Sequence, residues 1–136
     1  MSGLWAKLNL KDRREIVVLN APGSFAAELK ALGRVRVNRR ISGVKELTFV
    51  LAFVVTKAEL DKVAAMVVGK ASGDALLWFA YPKGTSKRYQ CEFNRDTGWG
   101  VIRGAGFESV RMVAIDADWS AVRFRRLNFI KPSRSR

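Results

Sequence analysis

The chain has no histidine, one cysteine and three prolines in 136 residues, and 12 acidic residues against 25 lysines and arginines. Without histidine, imidazole acid–base chemistry and any serine triad that depends on it are excluded. A single thiol, Cys91, provides no disulfide framework, and a zinc or iron site built on histidine and cysteine has no ligand set to draw on. No apolar run approaches the ~20 residues that span a bilayer. The opening stretch, MSGLWAKLNLKDRRE, lacks the charged-then-apolar layout of a secretory signal. The expectation is a cytoplasmic protein with no membrane partner. No segment repeats and no linker separates two cores, so residues 1–130 are expected to form one domain. The basic tail KPSRSR, 131–136, is expected to be disordered.

What is present is positive charge and apolar bulk. The net charge is +13, and 49% of the residues are hydrophobic, enough for one globular core. So basic a chain is suited to nucleic acid, anionic lipid or an acidic protein; the plain alternative is a heavily charged, well-solvated surface.

The apolar patterning alternates between two periods. Ile16–Asn20 is a short β-branched run, as in a strand covered on both faces. Pro22 then suits a first helical turn that Ser24 would cap. Phe25, Leu29 and Leu32 fall on one helical face, and Gly33 ends it. Arg34–Arg40 alternates basic and apolar residues, as an edge strand with Val35 and Val37 inward. Leu47–Val55 reads as a central buried strand. Thr56 and Glu59 form a capping box for a helix burying Leu60, Val63, Ala64 and Val67, which Gly69 and a KASGD turn would end. Ala75–Tyr81 is another buried strand, stopped by Pro82. A helix weakened by three glycines is expected from Asp96 or Thr97 to Ala105. Glu108–Asp116 and Ala121–Leu127 would close the domain as an antiparallel hairpin. In the N-terminal segment, Leu4, Trp5 and Leu8 would pack either on a partner or on the chain's own sheet. This order predicts an α/β fold: a small Rossmann-like, mostly parallel open sheet with helices on both faces and a C-terminal antiparallel hairpin.

Three motifs coincide along it. The first strand ends in L-N-A-P, the Ala75–Tyr81 strand runs into Pro82-Lys83-Gly84, and the last hairpin carries Asp118-Trp119-Ser120 followed by Val122-Arg123. Together they resemble a family of small bacterial proteins of unknown function. Its members share a strand ending in P-K, a later D-W-S-G-x-R-L-type hairpin and a shortened methyltransferase-like fold. The resemblance covers the chain from Leu10 to Leu127. The D-W-S hairpin is its most specific part, although Ala121 stands where the pattern has glycine. It implies a truncated S-adenosylmethionine-methyltransferase-like fold and no particular reaction.

The residues themselves argue against a working methyl-donor site, and no cofactor is expected. A G-x-G turn after the first strand would let the backbone approach the ligand; this chain has Asn20-Ala21-Pro22-Gly23-Ser24. An acid at the end of the next strand would grip a ribose, yet Arg39 and Arg40 stand there. The amides of Gly23 to Ala26 offer an alternative cradle for phosphate. Lys83 superficially matches a P-loop lysine, but the preceding glycines are absent; it would contact an anion or pair with Asp118. Asp116 and Asp118 have no matching second carboxylate pair for glycosidase chemistry, and Trp119 would pack over the sheet end while Asp118 hydrogen-bonds the turn. Two candidate surfaces remain. Ala21, Pro22, Gly23, Ser24, Thr56, Lys83 and Trp119 would line a small-molecule pocket at the carboxyl edge of the sheet. Arg34, Arg36, Arg39, Arg40, Arg123, Arg125 and Arg126 would form a surface for a polyanion, without any of the aromatic motifs of dedicated RNA readers. The leading expectation is a non-catalytic binding domain with a basic surface. The alternative is a small-molecule-binding protein or enzyme working at the carboxyl edge.

Overall fold

The computed structural model describes residues 3–94 and 97–130. Among these residues four α-helices and six strands run in the order α1 (Gly3–Lys7), β1 (Glu15–Leu19), α2 (Ala26–Lys30), β2 (Arg36–Asn38), β3 (Leu47–Phe53), α3 (Lys57–Lys70), β4 (Ala71–Pro82), α4 (Gly100–Gly104), β5 (Phe107–Ala114) and β6 (Trp119–Arg126). The strands form one sheet in the order β2-β1-β3-β4-β6-β5. The first four are parallel, and β6 runs antiparallel to both β4 and β5. The mostly parallel α/β sheet and its terminal hairpin are therefore as the sequence predicts. Strand order reverses at β1, with β2 on one side and β3 on the other. In such sheets that reversal opens a crevice at the carboxyl ends of the two strands.

Two apolar layers sandwich the sheet. On one face α3 buries Leu60, Val63, Ala64 and Val67 against Val50, Leu77 and Phe79, joined by Trp99 and Ile102 from around α4. On the other, Leu4, Trp5, Leu8 and Leu10 join Phe25 and Leu32 over Phe49, Phe53 and Trp78. The N-terminal segment thus packs on its own sheet. A five-residue helix has no stability alone; α1 is held by this burial, at roughly 1.5–3 kcal/mol per large side chain. It is also held by indole hydrogen bonds: Trp78 Nε1 donates to the Leu8 carbonyl and Trp5 Nε1 to the Glu28 carbonyl, both at 2.9 Å.

Several boundaries differ from the sequence pattern. The helix expected after Pro22 divides into a 3₁₀ turn over Gly23–Phe25 and the short α2, with no side-chain cap at either start, so Ser24 is not an N-cap. Phe25 N bonds back to the Pro22 carbonyl at 2.9 Å, closing the tighter turn. Burial of Phe25 and Leu32 decides the geometry here, not propensity. The edge strand is three residues, Arg36–Asn38, with Val35 and Val37 packed inward as expected. The KASGD segment is not a turn. Helix α3 gives way directly to β4, whose first residues bulge: Leu47 pairs with Ala71, while Phe49 pairs with Leu76. Gly73, at φ +56°, supplies the bend. The helix expected from residue 96 or 97 shrinks to α4. Asp96 lies outside the described residues, and Thr97 bridges back to Asn94. Gly98 adopts φ +96°, and a Cβ there would meet Phe93 at 2.7 Å, so glycine is required. The tail 131–136 also lies outside the described residues.

Candidate functional site

The topology brings the seven pocket candidates to one edge. Ala21–Ser24 follow β1, Thr56 follows β3, Lys83 follows β4, and Trp119 opens the antiparallel β6 opposite Pro82. Along the sheet β1 and β6 are three strand spacings apart, roughly 14 Å. Around the β1 end the backbone is already committed. Asn20 sits at φ +58°, and its Nδ2 donates to the Phe53 carbonyl at 3.3 Å, bridging the strands where the crevice opens. Of the amides from Gly23 to Ala26, those of Phe25 and Ala26 close the 3₁₀ turn. The helix beyond it is too short to present a dipole. Phe25, Phe53, Trp119 and Tyr89 stack in succession with centroids 5.0, 5.0 and 4.9 Å apart.

The start of α3 is also internally satisfied. Thr56 Oγ1 accepts from Glu59 N at 3.1 Å. The Glu59 carboxylate reaches back one residue further than a capping box requires, to Val55 N at 2.6 Å. Glu92, which no local pattern had marked, accepts from Lys57 N at 2.9 Å. Two carboxylates therefore occupy the positive end of this helix.

At the β4 and β6 end, a hollow of about 690 Å³ is lined by Lys83, Ser86, Arg88, Tyr89, Cys91 and Glu92, among others. Lys83 meets Asp118 through its backbone, N to carbonyl, at 2.7 Å. The Asp118 carboxylate instead accepts from Ser86 Oγ at 2.9 Å. The D-W-S turn is held by Asp116, whose Oδ1 accepts from Asp118 N at 2.8 Å and Trp119 N at 2.9 Å. Asp116 thus takes the turn role the sequence assigns to Asp118. Trp119 does pack over the sheet end, 3% exposed, yet its Nε1 is buried without a partner. Burial pushes the Cys91 thiol above its ordinary range.

The amino edge differs in kind. Arg13 and Arg14 lead into β1, Arg34 into β2 and Lys45 into β3. With Lys11 they border two adjoining grooves that share Arg13 and Arg14. A third, lined by Arg36 of β2 and by Arg39 and Arg40 just past its carboxyl end, meets the first at Gly43. Arg34, Arg36, Arg39 and Arg40 are exposed. The pair Arg36–Glu15, at 3.6 Å, is solvent-exposed and adds little stability. Of the hairpin arginines, two are tied to the β4 bulge. Arg125 grips Asp74 through two hydrogen bonds of 2.8 and 2.6 Å. Arg126 donates to the carbonyls of Gly73 at 3.1 Å and Ala71 at 2.6 Å, and lies over the Phe107 ring. The Arg125 hydrogen bond holds the Asp74 carboxyl below its usual range against the opposing effect of burial. Arg123 lies 4.0 Å from Asp74.

Among the described residues no group of three or more acidic or cysteine side chains assembles as metal ligands, and no helix is long and apolar enough to cross a membrane. No family model matches the chain, and no curated protein matches it. Solved structures do. A SAM-dependent methyltransferase from Aquifex aeolicus superposes with a TM-score of 0.59 at 13% identity, covering 91% of this chain and 88% of its own. The N-methyltransferase NodS from Bradyrhizobium japonicum, in complex with S-adenosyl-L-homocysteine, gives 0.58 at 13% identity over 91% and 83%. The fibrillarin pre-rRNA processing protein of Methanococcus jannaschii gives 0.55 at 9% identity over 86% and 68%. The chain has the methyltransferase-like Rossmann fold.

Proposed function

We propose that this is a methyltransferase-like domain whose working surface is the amino edge of the sheet, where it binds a polyanion through phosphate charges without reading sequence. The observation that carries this reading is the excess of cations over carboxylates in the grooves around β2 and the amino edge. Lys11, Arg13, Arg14, Arg34, Arg36, Arg39, Arg40 and Lys45 line them against Asp12, Glu15 and Glu46, whereas at the carboxyl edge Glu59, Glu92, Asp116 and Asp118 stand among Lys57, Lys83, Lys87 and Arg88. A duplex nucleic acid is the partner this fits best; an acidic protein is the other. All four tryptophans and seven of the eight phenylalanines are buried. The belt therefore offers no stacking platform of the kind that holds single strands. At the carboxyl edge, the Asn20–Phe53 bridge, the stacked aromatics and the carboxylate-capped α3 support a domain that does not hold a methyl donor.

The test is duplex binding by anisotropy across a salt series. Affinity should fall steeply with salt, and replacing Arg34, Arg36, Arg39 and Arg40 with glutamine should lower both affinity and slope. Affinity that stays flat from low to high salt overturns the reading. Charge reversal at Arg125 or Arg126 is not a clean test, because both hold the β4 bulge.

A second reading places a small molecule in the hollow beside Lys83. Trp119 lies behind the Tyr89 wall of that hollow, ring centroids 4.9 Å apart, and its buried Nε1 has no acceptor, which is uncommon. Such a ligand would raise Tm at high salt as well as low, and Lys83→Ala and Trp119→Ala would remove the gain.

A further inference from the structure

Three arginines share one face of the C-terminal hairpin. Arg123 and Arg125 stand two residues apart on β6, and Arg111 of β5 is the cross-strand neighbour of Arg123. Like charges directly opposite one another on an antiparallel pair repel. Arg13, from the segment leading into β1, adds a fourth positive charge that acts on both Arg123 and Asp74. Among the described residues Asp74 is the one carboxylate ion-paired with this group, and its two oxygens are engaged by Arg125. Three guanidinium groups thus act on a single, already committed carboxylate, and Arg111 adds its charge to Arg123.

Arg123 is the member most in need of a counter-ion. Its side chain is 15% exposed, and its Nε is buried without a hydrogen-bond partner. Burial and then the repulsion of Arg125 hold its pKa below the ordinary arginine value, with Asp74 opposing in part. A guanidinium stays charged in a protein, so the mismatch cannot be relieved by losing a proton. It is relieved by an anion. Planar guanidinium forks match tetrahedral oxyanions bidentately, and the charge excess suits a dianion better than a lone carboxylate.

We propose that Arg111 and Arg123, with Arg125 fixed behind them by Asp74 and Arg13 alongside, form a seat for a phosphate group. The proposal rests on the polyanion reading only for the source of that phosphate, which is either a backbone phosphodiester or a phosphomonoester.

The experiment is a titration of the full ¹⁵N-labelled chain with inorganic phosphate, at ionic strength held constant with chloride, following the arginine Nε–H resonances. The Arg123 Nε–H signal should move saturably. Arg111→Gln, an exposed position whose loss leaves the core intact, should weaken binding about tenfold. No saturable shift, or one unchanged by Arg111→Gln, overturns the seat. Dimethyl phosphate and glycerol phosphate then separate the sources: tighter binding of the diester assigns a backbone, tighter binding of the monoester a terminal phosphate, and either upholds the seat. Salt-dependent duplex binding with an unmoved Arg123 signal removes the seat and keeps the polyanion surface. An Arg111-dependent phosphate shift without duplex binding does the reverse.

Discussion

Asn20 reaches from the end of β1 to the end of β3, its Nδ2 donating to the Phe53 carbonyl at 3.3 Å. The residue is in the left-handed region, φ +58°, which asparagine tolerates better than most side chains. One residue therefore both turns the chain and laces the central strands together. Asn20→Ala should lower stability by about 1–2 kcal/mol through backbone strain and the lost bond, whereas Asn20→Gly, which removes only the bond, should cost about 1 kcal/mol or less. Chemical denaturation of both variants checks the ordering; equal losses would show that the left-handed geometry carries no cost here.

Trp78 connects the sheet to the N-terminal segment through its bond to the Leu8 carbonyl. Trp78→Phe keeps much of the apolar volume but leaves that buried carbonyl unpaired. A loss of about 2–3 kcal/mol is expected. Hydrogen exchange should show residues 3–10 opening more readily than the sheet.

Asp74 gives the protein an acid limb. Its carboxyl is held below the ordinary aspartate range in the folded chain, chiefly through the Arg125 hydrogen bond, and returns to that range on unfolding. The folded value is the lower one, so its contribution to stability is present above the unfolded value and disappears as pH falls through the folded one. The Tm difference between the wild type and Asp74→Asn should therefore be greatest at neutral pH and shrink below about pH 4. A difference independent of pH would mean that the Asp74–Arg125 pair acts through packing alone.

Cys91 is half-buried, and desolvation raises its pKa above 9.0. The thiolate is the reactive form, so a maleimide or disulfide reagent at pH 8 should modify Cys91 more slowly than it does the same thiol in the unfolded chain. Modification at the unfolded rate would contradict that burial.

Which parts were legible in the sequence follows from the range of the interactions. Period-two and period-3.6 patterning is local, and it located β1, β3, the core of β4, α3 and the hairpin within a few residues. The α2 region misled because Phe25 and Leu32 are placed by contacts with distant strands, and those contacts favour a 3₁₀ turn over the helix their spacing describes. KASGD looks like a turn because its composition is that of one. It becomes a bulge because Arg125 and Arg126, some fifty positions later, hold it against β6. Glu92 and Asp74 carry no neighbouring signal at all, since each meets its partner only through the tertiary fold. The carboxyl-edge candidates follow from the strand ends that the patterning marks, but their spread over three strand spacings is a matter of sheet order that no motif encodes.

The cation excess in the grooves around β2 and the amino edge has a kinetic consequence for the proposed polyanion binding. Eight lysines and arginines border those grooves against three carboxylates. In the field of an extended anion that local excess would turn the arginine-rich edge forward before any atoms touch. Encounters that would fail in random orientation become productive, and association accelerates at low ionic strength. Within about one Debye length, ~10 Å at 0.1 M salt, this orienting effect still operates; beyond that the two partners approach blind.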